Sequence, residues 1–348
     1  MGNWRQVWLL RSSYFFYSRG IARLGGYLAF LVSLFRGNVH VLNVWPSESV
    51  VLGPDVAIFI HFEPLGTLAE RTIRYVRSLH DNGFDIVFVS NSGALSPGVV
   101  TVLKPFCKAV VVRRNIGYDF GAIRETLNLF ALPRPETARL LIANDSVYGP
   151  LVPLRPILDG VDFNKADVWG ATESWQNRYH LQSYFLIVGR QAMTSSAWKG
   201  FWQSVRQVSS KEWVIHRYEV GLTQALVRAG IRCRAIWRYD DLIRQVANET
   251  IIQPADGLAA DPINEMRVLA ATRRHSAIAR HAPMNPTAEL WRHLLRAGYP
   301  FLKIELLREN PAGVLDVLDW REVISSLPDA DIAVIERDLQ AKMRNRVP

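Results

Sequence analysis

Two carboxylates of this chain stand where chemistry is expected: Asp119, in Asn115-Ile-Gly-Tyr-Asp-Phe-Gly121, and Asp145, in Asn144-Asp-Ser-Val-Tyr-Gly-Pro150. Each run follows an apolar, strand-like segment, Ala109-Val-Val-Val112 before the first and Leu140-Leu-Ile-Ala143 before the second. A helix-like stretch, Ala122 to Phe130, lies between them. In an open α/β sheet, ligands sit beyond the carboxyl ends of the strands, and loops there carry the reacting groups. Two polar turns bearing Gly and Asp at neighbouring strand ends suggest a nucleotide or sugar-phosphate site. Asn, Asp and Gly are also the usual turn residues, so a single run of this kind would read as an ordinary turn. Two at consecutive strand ends favour a site.

Such turns need a sheet to hold them, and the chain supplies one from Val50 onward. Val56-Ala-Ile-Phe-Ile-His-Phe62 reads as a buried strand, and Leu68 to His80 as an amphipathic helix ended by Asn82-Gly83. Asp85-Ile-Val-Phe-Val89 is a second strand, and Ser96 to Phe106 a helix with Pro97 near its first turn, where proline is tolerated. Strands alternating with helices imply a mainly parallel sheet flanked by helices. Past Pro150, Asp167 to Thr172 and Leu181 to Val188 read as strands around a polar loop, Glu173 to Tyr179. Helices are expected over Gln191 to Val208 and Tyr218 to Ala229, and a strand over Ile231 to Trp237. Residues 248–261 read as a loop, the part from Thr287 as largely helical, and Ala333 to Arg346 as a terminal amphipathic helix. No repeat or low-complexity linker divides the chain. The expected organisation is an N-terminal basic and aromatic arm over residues 1–50, one α/β domain over 51–311, and a helical extension over 312–348.

Composition narrows the function classes. The 348 residues suffice for one large α/β domain, and 49% apolar with 21% charged residues is ordinary for a folded globular chain. The two cysteines, Cys107 and Cys233, sit in apolar surroundings, which argues against a disulfide scaffold or a cysteine zinc site. Net charge is +9, from 41 Lys and Arg against 32 Asp and Glu, a balance that attracts anionic lipid or anionic small substrates. Nucleic acid is not expected, because no helix-turn-helix, zinc-finger or RNP signature is present and the basic residues form no single tract. The first 37 residues interleave Trp4, Trp8, Tyr14, Phe15, Phe16 and Tyr17 with Arg5, Arg11, Arg19 and Arg23. That mixture suits a helix in the headgroup region of an anionic membrane, or equally an arm packed on the protein itself. The apolar run Tyr27 to Phe35 is too short to span a bilayer, and no small-residue cleavage site follows it. Dehydrogenase, kinase, serine hydrolase and zincin readings lack their glycine-rich, nucleophile-elbow or His-Glu-x-x-His motifs.

The ordered set of motifs also resembles a known family. Arg114-Asn-Ile-Gly-Tyr-Asp-Phe-Gly121, Asn144-Asp-Ser-Val-Tyr-Gly-Pro150, Asp167-Val-Trp-Gly170, His180-Leu-Gln-Ser-Tyr-Phe185 and Tyr218-Glu-Val-Gly-Leu-Thr223 are similar, in that order, to the rhamnan synthesis F family of bacterial glycosyltransferases. Asn285-Pro-Thr287, Leu290-Trp291 and Pro300-Phe-Leu-Lys303 extend the likeness, which runs from about Val56 to about Pro311. The resemblance implies a GT-A-like enzyme of cell-surface polysaccharide synthesis that uses a nucleotide-sugar donor. It implies L-rhamnose passed from dTDP-rhamnose to a lipid-linked glycan, in the cytoplasm, at the inner face of the bacterial membrane. A non-catalytic glycan-binding or assembly subunit that keeps the fold is the alternative.

The resemblance, together with position at strand ends and residue type, gives residues their expected roles. Asp145 stands where GT-A enzymes place a metal-binding Asp-X-Asp, here with a single Asp, and is expected to hold Mg2+ or Mn2+; an Asx-turn is the bland alternative. His61, Arg114, Asn115, Gly117, Asp119, Asn144 and Ser146 are expected around the donor, with Gly117 and Gly121 allowing close backbone approach. Lys303 matches the family's late lysine and is expected to pair with the diphosphate. Glu219 is the expected general base of an inverting transfer, against an ordinary acid in the first turn of a helix. His180 is the second candidate for the base. Trp169, Trp175 and Gln182 are expected at the acceptor or sugar site, although most tryptophans are simply core.

Overall fold

The computed structural model describes residues 25–35, 40–249 and 262–344. One nine-stranded sheet runs through the molecule. In chain order its strands are β1 (Val41–Trp45), β2 (Asp55–His61), β3 (Asp85–Ser90), β4 (Cys107–Arg113), β5 (Arg139–Asn144), β7 (Val168–Ser174), β8 (His180–Leu181), β9 (Phe185–Gly189) and β10 (Cys233–Trp237). The spatial order is β1-β4-β3-β2-β5-β9-β7-β10, with β8 paired to β7. The block β4-β3-β2-β5 is parallel throughout, and β7 pairs with β10 in parallel. β1, β8 and β9 run antiparallel to their neighbours. The sheet is therefore mixed, with most strands pointing one way. A separate ribbon joins β6 (Val147–Tyr148) to β11 (Leu302–Lys303).

The parallel block follows from its residues. Alternate side chains of each strand enter opposite cores: Ala57, Phe59, Ile86, Phe88, Leu141 and Ala143 pack on one face, and Val56, Ile58, Ile60, Val87, Val89, Leu140 and Ile142 on the other. Strands buried on both faces read as continuous apolar runs, so these were legible before the fold was known. Burying each of the Val, Leu, Ile and Phe side chains among them stabilises the sheet by about 1.5–3 kcal/mol. Cys107 and Cys233 are unpaired, and burial pushes both thiols up to about 12, the chemistry of small hydrophobes rather than nucleophiles.

Several expected elements differ. β1 lies within the first fifty residues yet forms the outer strand of the sheet, bonded antiparallel to β4. The strand expected over Leu181 to Val188 is two strands, β8 and β9, because Gln182 to Tyr184 turn between them. The helix expected from Gln191 to Val208 is two, Arg190–Thr194 and Ser196–Ser204, with Ser195 capping the second by accepting from the Trp198 N–H. Tyr239–Ala247 and Pro262–Ala279 are helices that the pattern did not reveal. Beyond residue 311, Val314, Val317, Trp320, Ile324 and Ile335 share one hydrophobic core with Leu290, Trp291 and Ile304. The terminal helix, Ile332–Arg344, packs against the helix Glu70–Asp81.

Candidate active site

The strand order reverses between β2 and β5: the chain steps outward from β2 through β3 to β4, then returns to the other side of β2 as β5. A crevice opens at such a switch point, outside the carboxyl ends of the two strands. Here β2 ends at His61, and β5 ends at Asn144 with Asp145 next in the chain. The Asp145 N–H donates to the Ile60 carbonyl at 3.0 Å, and the Phe62 N–H donates to Asp145 Oδ2 at 3.2 Å. Arg71, from the helix after β2, donates to the Asp145 carbonyl at 2.7 Å. Two strand ends and one helix thus fix Asp145, whose side chain is 13% exposed.

A cleft of about 630 Å³ lies over this junction. It brings together Asp119, Asn144, Asp145, Ser146, His180, Gln182, Glu219 and Lys303, drawn from widely separated parts of the chain. A chain of hydrogen bonds links four of them. Asn144 Nδ2 donates to Asp119 Oδ2 at 2.8 Å, Ser146 Oγ donates to Asn144 Oδ1 at 2.6 Å, and Lys303 Nζ donates to Ser146 Oγ at 2.9 Å. Burial raises the Asp119 carboxyl to about 6, although its bond from Asn144 pulls the other way. Burial lowers the Lys303 ammonium to about 8, against the pull of Glu219, Glu305 and Asp119. Lys303 also lies 4.2 Å over the ring of Tyr184.

Glu219 does not open a helix. The helical run begins at Lys211, and Val214–Glu219 forms a π-helical turn before the α-helix Val220–Arg228. A first-turn acid is thereby excluded, and π-turns of this kind gather at functional sites. Glu219 Oε1 accepts from both the N–H and the hydroxyl of Ser183, each at 2.9 Å, which aims the carboxylate. His180 is buried at the cleft wall, and its Nδ1 donates to the Arg178 carbonyl at 2.8 Å. That bond places the proton of the neutral ring on Nδ1 and leaves Nε2 as the acceptor.

Other expected site residues lie elsewhere. His61 is fully buried behind Asp145, its Nδ1 3.2 Å from Ser90 Oγ and its Nε2 3.9 Å from Asp145 Oδ2, and burial lowers its pKa. Arg114, Asn115 and Gly117 do not line the cleft. A Cβ on Gly117 would stand 2.3 Å from Gln207 Oε1, and one on Gly121 2.1 Å from the same atom and 2.7 Å from the Ile116 carbonyl. The glycines therefore make room for Gln207 and for their own turn rather than for a ligand. Trp169 is core: its Nε1 donates to the Ala166 carbonyl and Arg234 covers its ring. Trp175, half exposed, borders the cleft-lining Ser174 and Gln176 and meets the Tyr179 ring at 5.1 Å.

Sequence reasoning missed four contributors. Arg113 is fully buried under the Asn115–Gly117 turn and donates to Glu125 and Asn91 at 2.6 Å each and to the Ile116 carbonyl at 2.7 Å. Tyr118 lines the cleft with φ of 50°, a conformation that costs an aromatic residue energy and that clusters at ligand sites. Arg71 meets Asp338 at 3.0 Å, and Asp338 in turn accepts from the Tyr148 hydroxyl at 2.9 Å. Lys342, on the same terminal helix, reaches the cleft beside Asp145 and has no hydrogen bond or ion pair within reach among the described residues. Burial and Arg71 lower its pKa, opposed by Asp338, Asp145 and Glu63. Arg71 left a trace in the sequence, as a basic residue on the same helical stripe as Tyr75 and Leu79, and Tyr118 lies within the Asn115–Gly121 run.

Among the described residues, no three or more His, Cys, Asp or Glu side chains gather into a metal cage. Asp145 and Asp119 instead face an open cleft as one or two carboxylates. That donor set fits Mg2+ or Mn2+ that draws its remaining oxygens from a diphosphate and water. The lining is otherwise balanced, Asp119, Asp145, Glu219 and Glu305 against Lys211, Lys303, Arg308 and Lys342.

The profile of rhamnan synthesis protein F matches residues 86–304, more than half of the chain. The chain belongs to the rhamnan synthesis protein F family. It is 26% identical over 198 residues to the uncharacterized protein y4gN of Sinorhizobium fredii, covering 56% of this chain and 51% of that one. It is 29% identical over 248 residues to the virulence protein VirA of Vibrio anguillarum, covering 70% and 75%. The chain thus spans about half the length of the first relative and three quarters of the second. Among solved structures it is similar to the glycosyltransferase GlyE of Streptococcus pneumoniae, at 13% identity and a TM-score of 0.39, covering 84% of this chain and 64% of that one. A mannosyltransferase of Pyrobaculum calidifontis, solved with GDP-mannose and Mn2+, gives 10% identity and a TM-score of 0.32, covering 95% and 91%.

Proposed function

We propose that this member of the family is a glycosyltransferase of polysaccharide synthesis, with a GT-A-like site in the β2–β5 cleft. The observation that carries the proposal is the joining of Asp145, Lys303 and Glu219 in one cleft at the sheet's switch point. Such a transfer needs the leaving diphosphate neutralised, the donor oriented and the acceptor hydroxyl deprotonated. A Mg2+ or Mn2+ ion on Asp145 would supply Lewis-acid neutralisation of diphosphate oxygens when bound. Lys303 and Lys342, both in the cleft lining, would offer their ammonium groups to the diphosphate oxygens. Asp119, held by Asn144, orients the donor. Glu219, held by Ser183, takes the proton of the acceptor hydroxyl as its oxygen bonds to the anomeric carbon and the bond from that carbon to the diphosphate breaks. This gives inversion at that carbon.

The finer reading is L-rhamnose from dTDP-rhamnose, passed to a lipid-linked glycan at the inner face of the cytoplasmic membrane. The family supports the sugar, and the basic, aromatic N-terminus supports the membrane. A panel of nucleotide sugars, assayed for transfer or hydrolysis with Mn2+, tests the reading. Turnover of one donor is expected, with dTDP-rhamnose best. Tight donor binding with no turnover under any acceptor would instead identify a glycan-binding subunit.

A further inference from the structure

The helix over residues 25–33 is built inside out. Its segment, Gly25-Gly-Tyr-Leu-Ala-Phe-Leu-Val-Ser-Leu-Phe35, carries one polar side chain besides the Tyr27 phenol, and that one, Ser33, is buried and donates to the Phe30 carbonyl at 2.6 Å. The inward stripe is Gly26, Phe30 and Ser33: Gly26 abuts Trp213, and Phe30 stacks on its ring at 4.9 Å and 20°. Tyr27 meets the same ring edge-on at 5.2 Å. The outward side is apolar. Tyr27, Leu28, Leu31, Val32 and Leu34 are each about half exposed, and Phe35 is 90% exposed. A soluble helix shows its polar face to water, and contiguous apolar patches mark an interaction site.

We infer that residues 25–35 form a docking face for an anionic phospholipid bilayer, into which Leu28, Leu31, Leu34 and Phe35 insert. Charge and length both point to this occupant. The apolar run is bracketed in the chain by Arg19 and Arg23 before it and Arg36 after it, on a protein of net charge +9. Apolar residues between arginines enter the acyl boundary while the guanidinium groups stay at the phosphates. The uncharged stretch between Arg23 and Arg36 would extend only about 18 Å as a helix, against a hydrocarbon core of about 30 Å, so it suits insertion in the surface rather than a crossing.

The mount of this helix gives the docking a direction. Trp213, its platform, precedes in one helical run Val214 and Ile215, which line the cleft, and Glu219, which faces the acceptor side. Docking therefore fixes the orientation of the cleft relative to the bilayer. The use of that orientation rests on the proposed lipid-linked acceptor, but the docking itself does not.

Co-sedimentation of the full chain with vesicles tests the inference, using phosphatidylcholine alone and phosphatidylcholine with phosphatidylglycerol. The wild type is expected to bind the anionic vesicles, and less so the neutral ones or at high salt. A triple variant, Leu28→Ser, Leu31→Ser and Phe35→Ser, changes only exposed side chains. It is expected to lose at least tenfold in partition with an unchanged melting temperature. Equal binding by the variant overturns the inference, as does a wild type that ignores anionic vesicles. A wild type that dimerises in sedimentation velocity, with the variant monomeric and neither bound to lipid, assigns the face to a second copy and also overturns it. Donor turnover in solution is read separately, so failure here leaves the proposed function standing, and the reverse.

Discussion

Lys303 Nζ donates to Ser146 Oγ at 2.9 Å across 157 residues of chain. The ribbon of β6 and β11 makes this meeting possible, because Lys303 pairs directly with Val147, the residue after Ser146. A cation from late in the chain is thereby tied to the loop that follows β5. Lys303→Met is expected to weaken binding of a nucleoside diphosphate by about 10- to 100-fold, the value of a charge-assisted hydrogen bond. Ser146→Ala should cost less, because the ammonium keeps its charge and its seat over Tyr184. Calorimetric titration with dTDP checks both, and unchanged affinity in Lys303→Met would remove the diphosphate role.

Asp145 offers the cleft carboxylate best fixed by backbone. Asp145→Asn keeps shape and most hydrogen bonding but removes the charge that would hold a divalent cation. Nucleotide affinity measured with Mn2+ is expected to fall by about 10²-fold or more, with little change when EDTA is present. The melting temperature should hold, since the Asp145 N–H and carbonyl still bond to Ile60 and Arg71. Equal losses with and without Mn2+ would mark Asp145 as a turn residue.

Lys342 tests whether the terminal helix belongs to the donor site. Lys342→Met should reduce dTDP affinity by roughly 10-fold, the lower end for a bond to a charged group. The rate at saturating donor should change little. Helix docking should survive, because Arg71–Asp338, Arg337–Glu70 and Arg321–Glu336 remain. A loss of stability with normal affinity would confine this helix to packing.

The parallel block was legible because burial on both faces writes itself as unbroken apolar runs, and the turns after β4 and β5 were legible by their Asn, Asp and Gly. Much of the rest was hidden by long-range pairing. Pro262–Ala279 carries Arg274 on its buried side, matched by Asp316 at 2.8 Å, so no apolar stripe marks it as a helix. Lys211 to Glu219 mixes charged and apolar residues without a 3.6-residue period because its backbone makes a π-turn. That irregularity hid the true start of the helix at Lys211. Trp169 was expected at a sugar and is core, since its bond to Ala166 depends on how β7 enters the sheet. Asp145 and Glu219 were expected at the site from the family resemblance, and the fold brings both to one cleft, but their holders, Arg71 and Ser183, are decided by contacts between distant segments.

Two buried groups set the expected pH dependence. Asp119 titrates near 6 in the fold instead of 3.8, and Lys303 near 8 instead of 10.5. Donor affinity should therefore rise through about pH 6, as Asp119 ionises, and fall through about pH 8, as Lys303 loses its proton. Stability of the free protein takes the opposite sense. Between 3.8 and about 6 the folded state holds the extra proton on Asp119, so its contribution declines as pH rises. Between about 8 and 10.5 the unfolded state holds the extra proton on Lys303, so stability recovers as pH rises. Melting curves of Asp119→Asn and Lys303→Met against wild type, each across pH, should lose the acid and the alkaline limb respectively. A variant that keeps its limb would assign that limb to another group.

Glu219→Gln separates chemistry from binding. The change is nearly isosteric, and the glutamine oxygen can still accept from Ser183, but it cannot take the acceptor's proton. Turnover should fall on the order of 10²–10⁴-fold, the usual contribution of a positioned general base. Donor affinity should hardly move, because in the proposed arrangement Glu219 serves the acceptor hydroxyl while Lys303 and Lys342 serve the diphosphate. Ser183→Ala, which removes the hydroxyl bond to the carboxylate and leaves the one from the backbone N–H, should lower turnover less and in the same direction. Donor titration and initial rate at saturating donor are read on one preparation of each variant. Normal turnover in Glu219→Gln would pass the role to His180, whose Nε2 is the remaining acceptor at the cleft wall. A selective fall in rate, with affinity and melting temperature intact, is the outcome that the π-turn and its Ser183 clamp lead one to expect.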